Sequence, residues 1–266
     1  MPTPQHDPIH VLVYGEAGAG KSQFASTFPK PIYVAMWDGI GKDMPYRKRG
    51  QATQVFDDTE ISGLQYREVW LVDDEGHAKS KRPIIRIDYF MDVNPKDPRA
   101  FERWQARLVD IEDFLIAGKF KTLVFDSTTS AELLARKLHQ HRLNKTSKDP
   151  RQWFAGSTDL LEESLMGALP SLITTNVVVV SHISEDKDEV AGTFVRNPLA
   201  PGRLQKRLAS RYGEFYRAYV SRDDDGERYW ALQTTIDDRY NAATQIGAPD
   251  PCEPTYNALF AEEADE

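Results

Sequence analysis

The chain predicts an α/β fold with a mostly parallel central sheet and helices on both faces. Three stretches carry that prediction: Ile9-His10-Val11-Leu12-Val13-Tyr14, Lys121-Thr122-Leu123-Val124-Phe125-Asp126, and Asn176-Val177-Val178-Val179-Val180-Ser181. Two are followed at once by a small polar turn and a helical pattern. All three are near-continuous apolar runs, as strands buried on both faces are.

The bulk numbers agree. A chain of 266 residues is long enough for one large domain. Hydrophobic residues at 40% and charged residues at 28% are ordinary for a globular protein. No apolar run is long enough to cross a bilayer and no signal-peptide pattern opens the chain, so a cytoplasmic location is expected. Cys252 is the single cysteine, which excludes an intramolecular disulfide and a Cys-based zinc site. A net charge of −8 argues against a coat of basic surface, though not against a local basic groove.

In chain order, residues 1–8 read as a loose leader. The first strand then runs into Gly15-Glu16-Ala17-Gly18-Ala19-Gly20-Lys21-Ser22, a G-x-x-x-x-G-K-[ST] phosphate loop in its required strand–turn–helix context. Glycines let the backbone curl so that its N–H groups point inward, and the helix start adds a positive end. Lys21 supplies a point charge for the β- and γ-phosphates, and Ser22 a hydroxyl for Mg²⁺. A helix over 21–28 stops before Pro29. Residues 31–38 read as a buried strand ending in Asp38, which the rule for open parallel sheets places beside the loop.

Residues 50–98 fit no βαβ unit. Strands over 66–72 and 84–90, joined by a polar turn, predict a β-hairpin inserted in the sheet or added to its edge. Residues 99–117 have helical spacing, with Phe101, Trp104, Leu108, Ile111, Phe114 and Leu115 on one face and Gly118 as the stop. The strand over 121–127 ends in Asp126-Ser127, the place for a carboxylate that serves the metal.

A helix over 129–141 follows. Residues 142–154 are basic and polar and end in aromatics, which suits either a mobile loop that grips phosphates and stacks bases or a solvated connection. A helix over 159–173 leads to the strand over 176–182, with His182 at its tip on the same rim as Lys21, Asp38 and Asp126. Residues 183–202 read as a long polar loop. A basic helix over 204–212 carries Lys206, Arg207 and Arg211 behind Arg203. Strands over 214–221 and 228–235 form an antiparallel pair around Asp223-Asp224-Asp225-Gly226. One domain over 9–245 and an acidic tail over 246–266 complete the reading.

This order of motifs resembles the RecA-like P-loop NTPase core. It is closest to the short phage ATPases of the AAA-type nucleotide-binding group, which include single-strand annealing proteins. The resemblance covers most of 9–240 and is weakest over 50–100. It implies ATP and Mg²⁺ as cofactors, with Gln23 closing on the α-phosphate and Ser22 and Asp126 serving the metal. His182 matches the polar residue that senses the γ-phosphate. Residues 142–154 and 184–201 match the two loops that hold single-stranded DNA. Asp43 and Tyr46 loosely resemble the pair that holds adenine. Arg239 sits where related oligomers present a finger to a neighbour's nucleotide, an effect of about 10³–10⁵ in rate in well-studied cases.

The resemblance further implies a homo-oligomer with ATP between subunits, recombination, annealing or repair, a host-cytoplasmic setting, and a single-strand DNA-binding protein as a further partner. One departure stands out. The family's catalytic glutamate has no counterpart in Asp38-Gly39-Ile40-Gly41, which leaves Asp38 to substitute. Two other readings stay open: a nucleotide-dependent switch acting on proteins in replication or packaging, and a small-molecule kinase.

Overall fold

The computed structural model describes residues 7–39, 41–47, 51–116, 119–187 and 194–260. Residues 1–6 of the leader, Ile40, Gly118, 188–193 of the predicted second loop and 261–266 of the tail lie outside the described residues. So do the side chains of Phe114 and Lys206.

In chain order the elements are β1 (His10–Gly15), α1 (Lys21–Ala25), β2 (Ile32–Met36), β3 (Gln51–Asp57), β4 (Gln65–Leu71) and β5 (Ile85–Tyr89). Next come α2 (Ala100–Ile116), β6 (Thr122–Asp126), α3 (Thr128–Leu138), α4 (Pro150–Glu162) and β7 (Asn176–Ser181). The last are β8 (Ile183–Lys187), β9 (Phe194–Pro198), α5 (Arg203–Leu208), β10 (Glu214–Arg222), β11 (Arg228–Gln233) and α6 (Tyr256–Phe260).

One sheet organises the molecule, in the order β11-β10-β1-β7-β6-β2-β5-β4-β3. The six strands from β10 to β5 run parallel, and β11, β4 and β3 close the two sides as antiparallel additions. The expected mostly parallel sheet with helices on both faces is present. The strand after the loop's helix is not the loop strand's neighbour: β7 lies between β1 and β6, and β2 lies beyond them. Four strand ends, each bearing a chemical group, thereby meet on one rim.

Alternation divides the sheet's side chains between two cores. Leu12, Tyr14, Trp37, Leu123, Phe125, Val177 and Val179 face α2, α3, α4 and α5. Val11, Val13, Val34, Met36, Val124, Val178 and Val180 face α1 and α6, with Phe24 and Phe28. Beneath Asp38, the Trp37 ring packs on Phe90, Phe101, Trp104 and Phe125 with centroids 5.0–5.7 Å apart.

The predicted hairpin is present as β4 and β5, and it extends the sheet because β5 pairs with β2 in parallel. A third strand, β3, adds to its outer side; its mostly exposed, poorly alternating residues hid it. A buried ionic cluster fixes the extension. Asp88 accepts from Tyr33, Arg86 and Arg107, and Asp58 accepts from both arginines.

Three expectations are corrected. Helix α1 stops at Ala25 because the Ser26 and Thr27 hydroxyls donate back to the Gln23 and Phe24 carbonyls, competing with the helix ladder. Residues 142–154 are not one loop: a π-turn continues through Leu143, and α4 starts at Pro150. There Asp149 caps the Arg151 N–H and proline takes the first helical position.

Residues 183–202 are not one loop either, since β8 and β9 pair antiparallel as a small polar ribbon. The C-terminal strand pair is antiparallel as expected, and its first strand also joins the parallel sheet: β10 runs parallel to β1 while β11 is antiparallel to β10. The described part of the acidic tail packs back on the body. Cys252 pairs with Leu232 across the backbone, and Tyr256 and Phe260 of α6 meet Phe28 edge-on.

Candidate nucleotide site

The turn after β1 makes a cradle. Gly15, Gly18 and Gly20 take φ of 156°, 81° and 84°, which side-chain-bearing residues rarely adopt. A Cβ on Gly15 would lie 2.2 Å from the Ala218 carbonyl oxygen, so β10 also demands glycine there. Lys21 is buried and folds back, its Nζ donating to the Gly15 and Glu16 carbonyls at 2.8 and 2.7 Å. Burial lowers its pKa, and the charges of Asp126, Glu16 and Asp38 oppose that shift.

A cavity of about 670 Å³ opens over this cradle, and Lys21, Ser22, Gln23, Asp38, Asp126 and His182 all line it. Gly18, Gly20 and Ala17 complete its floor, with Lys42 and Ser130 on its far wall. Glu16 and Ala19 belong to the loop but face away from it. Sheet topology accounts for the convergence, because β1, β2, β6 and β7 are parallel and end on one rim.

Asp126 is buried, and burial raises its pKa to about 6; hydrogen bonds from Ser22 and Tyr46 and the charge of Lys21 pull the other way. Tyr46 donates to Asp126 Oδ2 at 2.8 Å. The peptide between Asp126 and Ser127 is cis. A hydroxyl and a buried carboxylate side by side are hard oxygen donors, the set that suits Mg²⁺.

Asp38 lies at the end of β2's strand, next to the β6 tip, and accepts from the Ser127 and Ser130 hydroxyls. His182 is half-buried, and burial followed by the Lys21 charge lowers its pKa, so its imidazole is neutral at physiological pH. Its backbone is held on both sides: its N–H donates to Thr129 Oγ1 at 3.4 Å, and its carbonyl accepts from Leu199 N–H at 2.7 Å, at the foot of the β8–β9 ribbon.

One sequence expectation does not survive. Tyr46 is buried with its hydroxyl committed to Asp126, and Asp43 is buried against Tyr89, Arg47 and Arg67. Neither side chain is offered to a base, because the short helix at Met44–Tyr46 turns both inward. Arg239 is exposed and lies outside the lining of its own chain's cavity, so its expected reach is toward a neighbouring copy. Sequence reading missed Ser127, Ser130 and Tyr46 as supports of the two carboxylates. The adjacent Asp126-Ser127 pair was a signal for the first alone.

A family model described as an AAA domain matches residues 7–235. The chain belongs to this AAA domain family. It is a nucleotide-binding P-loop ATPase. Two solved structures are similar to this AAA domain protein at low identity. A KaiC-like protein from the hyperthermophilic archaeon Pyrococcus horikoshii is 15% identical, with 93% of this chain and 86% of that one covered and a TM-score of 0.39. The flagellar accessory protein FlaH from Methanocaldococcus jannaschii is 10% identical, with 92% and 83% covered and a TM-score of 0.39. No curated protein matches the chain in sequence. Among the described residues no helix is long and apolar enough to cross a membrane.

Proposed function

We propose that this AAA domain protein is a Mg²⁺-dependent ATPase that works as a switch on single-stranded DNA, in annealing, recombination or repair of the phage type, with ATP held between like subunits. The observation that supports the reading is the placement of His182. It joins Lys21 and Asp126 in one cavity while its own carbonyl anchors the β8–β9 ribbon. In this reading a γ-phosphate bound by Lys21 and His182 alters the ribbon's footing, and the ribbon carries the signal outward.

The residues divide the work. Backbone N–H groups of the loop and Lys21 hold the phosphates, and Gln23 closes on the α-phosphate. Ser22 and Asp126 hold Mg²⁺, which stabilises the charge on the transferred phosphoryl group. Asp38 orients the attacking water in place of the missing glutamate. Its carboxylate already accepts two serine hydroxyl bonds, which hold it in place beside the β6 tip. Slow turnover is expected, with Arg239 of a neighbouring copy adding to it on assembly.

One observation favours a protein partner over DNA. In the sequence between 183 and 198, Glu185, Asp186, Asp188 and Glu189 outnumber Lys187 and Arg196. Arg142, Arg203 and Arg207 are moreover engaged by carboxylates. Hydrolysis measured with and without a single-stranded oligonucleotide over a salt series separates the two. DNA contact gives stimulation that fades with salt as counterions reassociate, and no stimulation at any salt leaves the protein-partner reading. Lys21→Ala is expected to abolish ATP binding and ATP-dependent partner binding together; hydrolysis that survives it overturns the site.

A further inference from the structure

We infer that Trp230 is a latch on the phosphate loop: it positions the loop's outer face and couples nucleotide occupancy to the β10–β11 hairpin. The inference rests on the nucleotide reading of the loop and adds a positioning residue that no loop motif contains.

The loop is a thin wall between two spaces. Its inner face borders the nucleotide cavity. Its outer face, residues 16–19, borders a second cavity of about 580 Å³ under the hairpin, lined by Arg217, Arg228 and Tyr240. Glu16, Ala17 and Gly18 are exposed, so close packing does not hold this wall. Trp230 crosses the gap. Its indole N–H donates to the Gly18 carbonyl at 3.1 Å, across 212 residues of sequence. Its ring edge lies 3.1 Å from where a Cβ of Gly20 would stand. One ring therefore touches both left-handed glycines of the loop's middle.

The bond sets a peptide plane. The C=O and N–H of a trans peptide point in opposite directions. With the Gly18 oxygen drawn out to the indole, the Ala19 N–H turns into the loop, where it meets the Glu16 carbonyl at 3.2 Å. The hairpin also grips the loop's first residue, since Gly15 pairs with Ala218 on β10. Two points of attachment on one rigid hairpin mean that a loop reshaped by phosphate must move the hairpin or strain against it. By reciprocity, whatever binds the hairpin changes nucleotide affinity by the same factor. Trp230 is 49% exposed on the edge strand, so the coupling is open to the outside of the molecule.

The test compares wild type with Trp230→Phe, which keeps a ring and loses the N–H, and Trp230→Ala, which loses both. Equilibrium ATP binding and hydrogen exchange of amides 217–231 with and without ATP are the readouts, with thermal melts as the folding control. Affinity is expected to fall about fivefold in Trp230→Phe, the worth of one neutral hydrogen bond, and about tenfold or more in Trp230→Ala. Wild type should show ATP-induced protection of the hairpin, and Trp230→Ala should not. If Trp230→Ala does not fold, Trp230→Phe decides alone, by the same two readouts. Unchanged affinity in a folded variant, or a wild-type hairpin that ignores bound ATP, overturns the latch. A wild type that binds no ATP overturns the nucleotide reading itself and the latch with it.

Discussion

Tyr46→Phe removes one oxygen from a buried position and should act on the metal before it acts on the nucleotide. The hydroxyl donates to Asp126 Oδ2 at 2.8 Å and fixes which way that carboxylate faces. A hydrogen bond to a charged group is worth about 1.5–3 kcal/mol. Losing it lets the carboxylate turn and raises its pKa further above about 6. Partners that orient a metal ligand typically cost about 10–100-fold in metal affinity when removed. The expected outcome is a rise of that size in the Mg²⁺ concentration giving half-maximal ATP hydrolysis, with ADP binding in chelator changed less than about threefold. Calorimetry of nucleotide binding over a Mg²⁺ series measures both. A Mg²⁺ midpoint that does not move, in a variant that folds normally, would refute the assignment of Asp126 to the metal.

Three further outcomes follow from the same coordinates. Gly15→Ala places a Cβ 2.2 Å from the Ala218 carbonyl, and forced overpacking costs about 1–3 kcal/mol, so urea unfolding should shift accordingly and ATP binding should fail with it. Arg107→Met leaves Asp58 and Asp88 short of a charge partner in a buried cluster; a loss of about 3–5 kcal/mol is expected in the same assay, and a loss below about 1 would show that Arg86 suffices. Burial holds the Asp126 carboxyl near 6, above its ordinary value near 4. The unfolded chain releases this proton first, so the nucleotide-free protein should lose up to about 3 kcal/mol as pH rises from about 4 to 6. Asp126→Asn should flatten that dependence in pH-resolved melts.

The core of the site was legible because local signals and topology agree there. Gly15 to Ser22 spell their own conformation, and runs such as Val177–Val180 announce a strand buried on both faces. Strand ends then share a rim through parallel pairing alone, which is why the sequence suffices to bring Asp38, Asp126 and His182 together. What escaped depends on pairing between distant weak segments. β3, β8 and β9 are polar and exposed, so no apolar rhythm marks them and only their partners make them strands. Asp149-Pro150 was a readable helix start, but the basic residues around it drew the eye to a loop. Tyr46 was misassigned because its sequence neighbourhood fits an adenine clamp, whereas its burial is decided by the short turn at Met44–Tyr46. Trp230 carried no signal at all, since the loop it touches lies 212 residues away.

The ring of Trp37, wedged among Phe90, Phe101, Trp104 and Phe125, has one more consequence. It makes the base of Asp38 a fixed jaw, since five interlocked rings cannot yield without opening the whole interior. The opposite jaw, His182, leads straight into a two-stranded ribbon whose first residue, Ile183, is only partly buried against the same core. If the site closes on a ligand, Asp38 is the side expected to stay put.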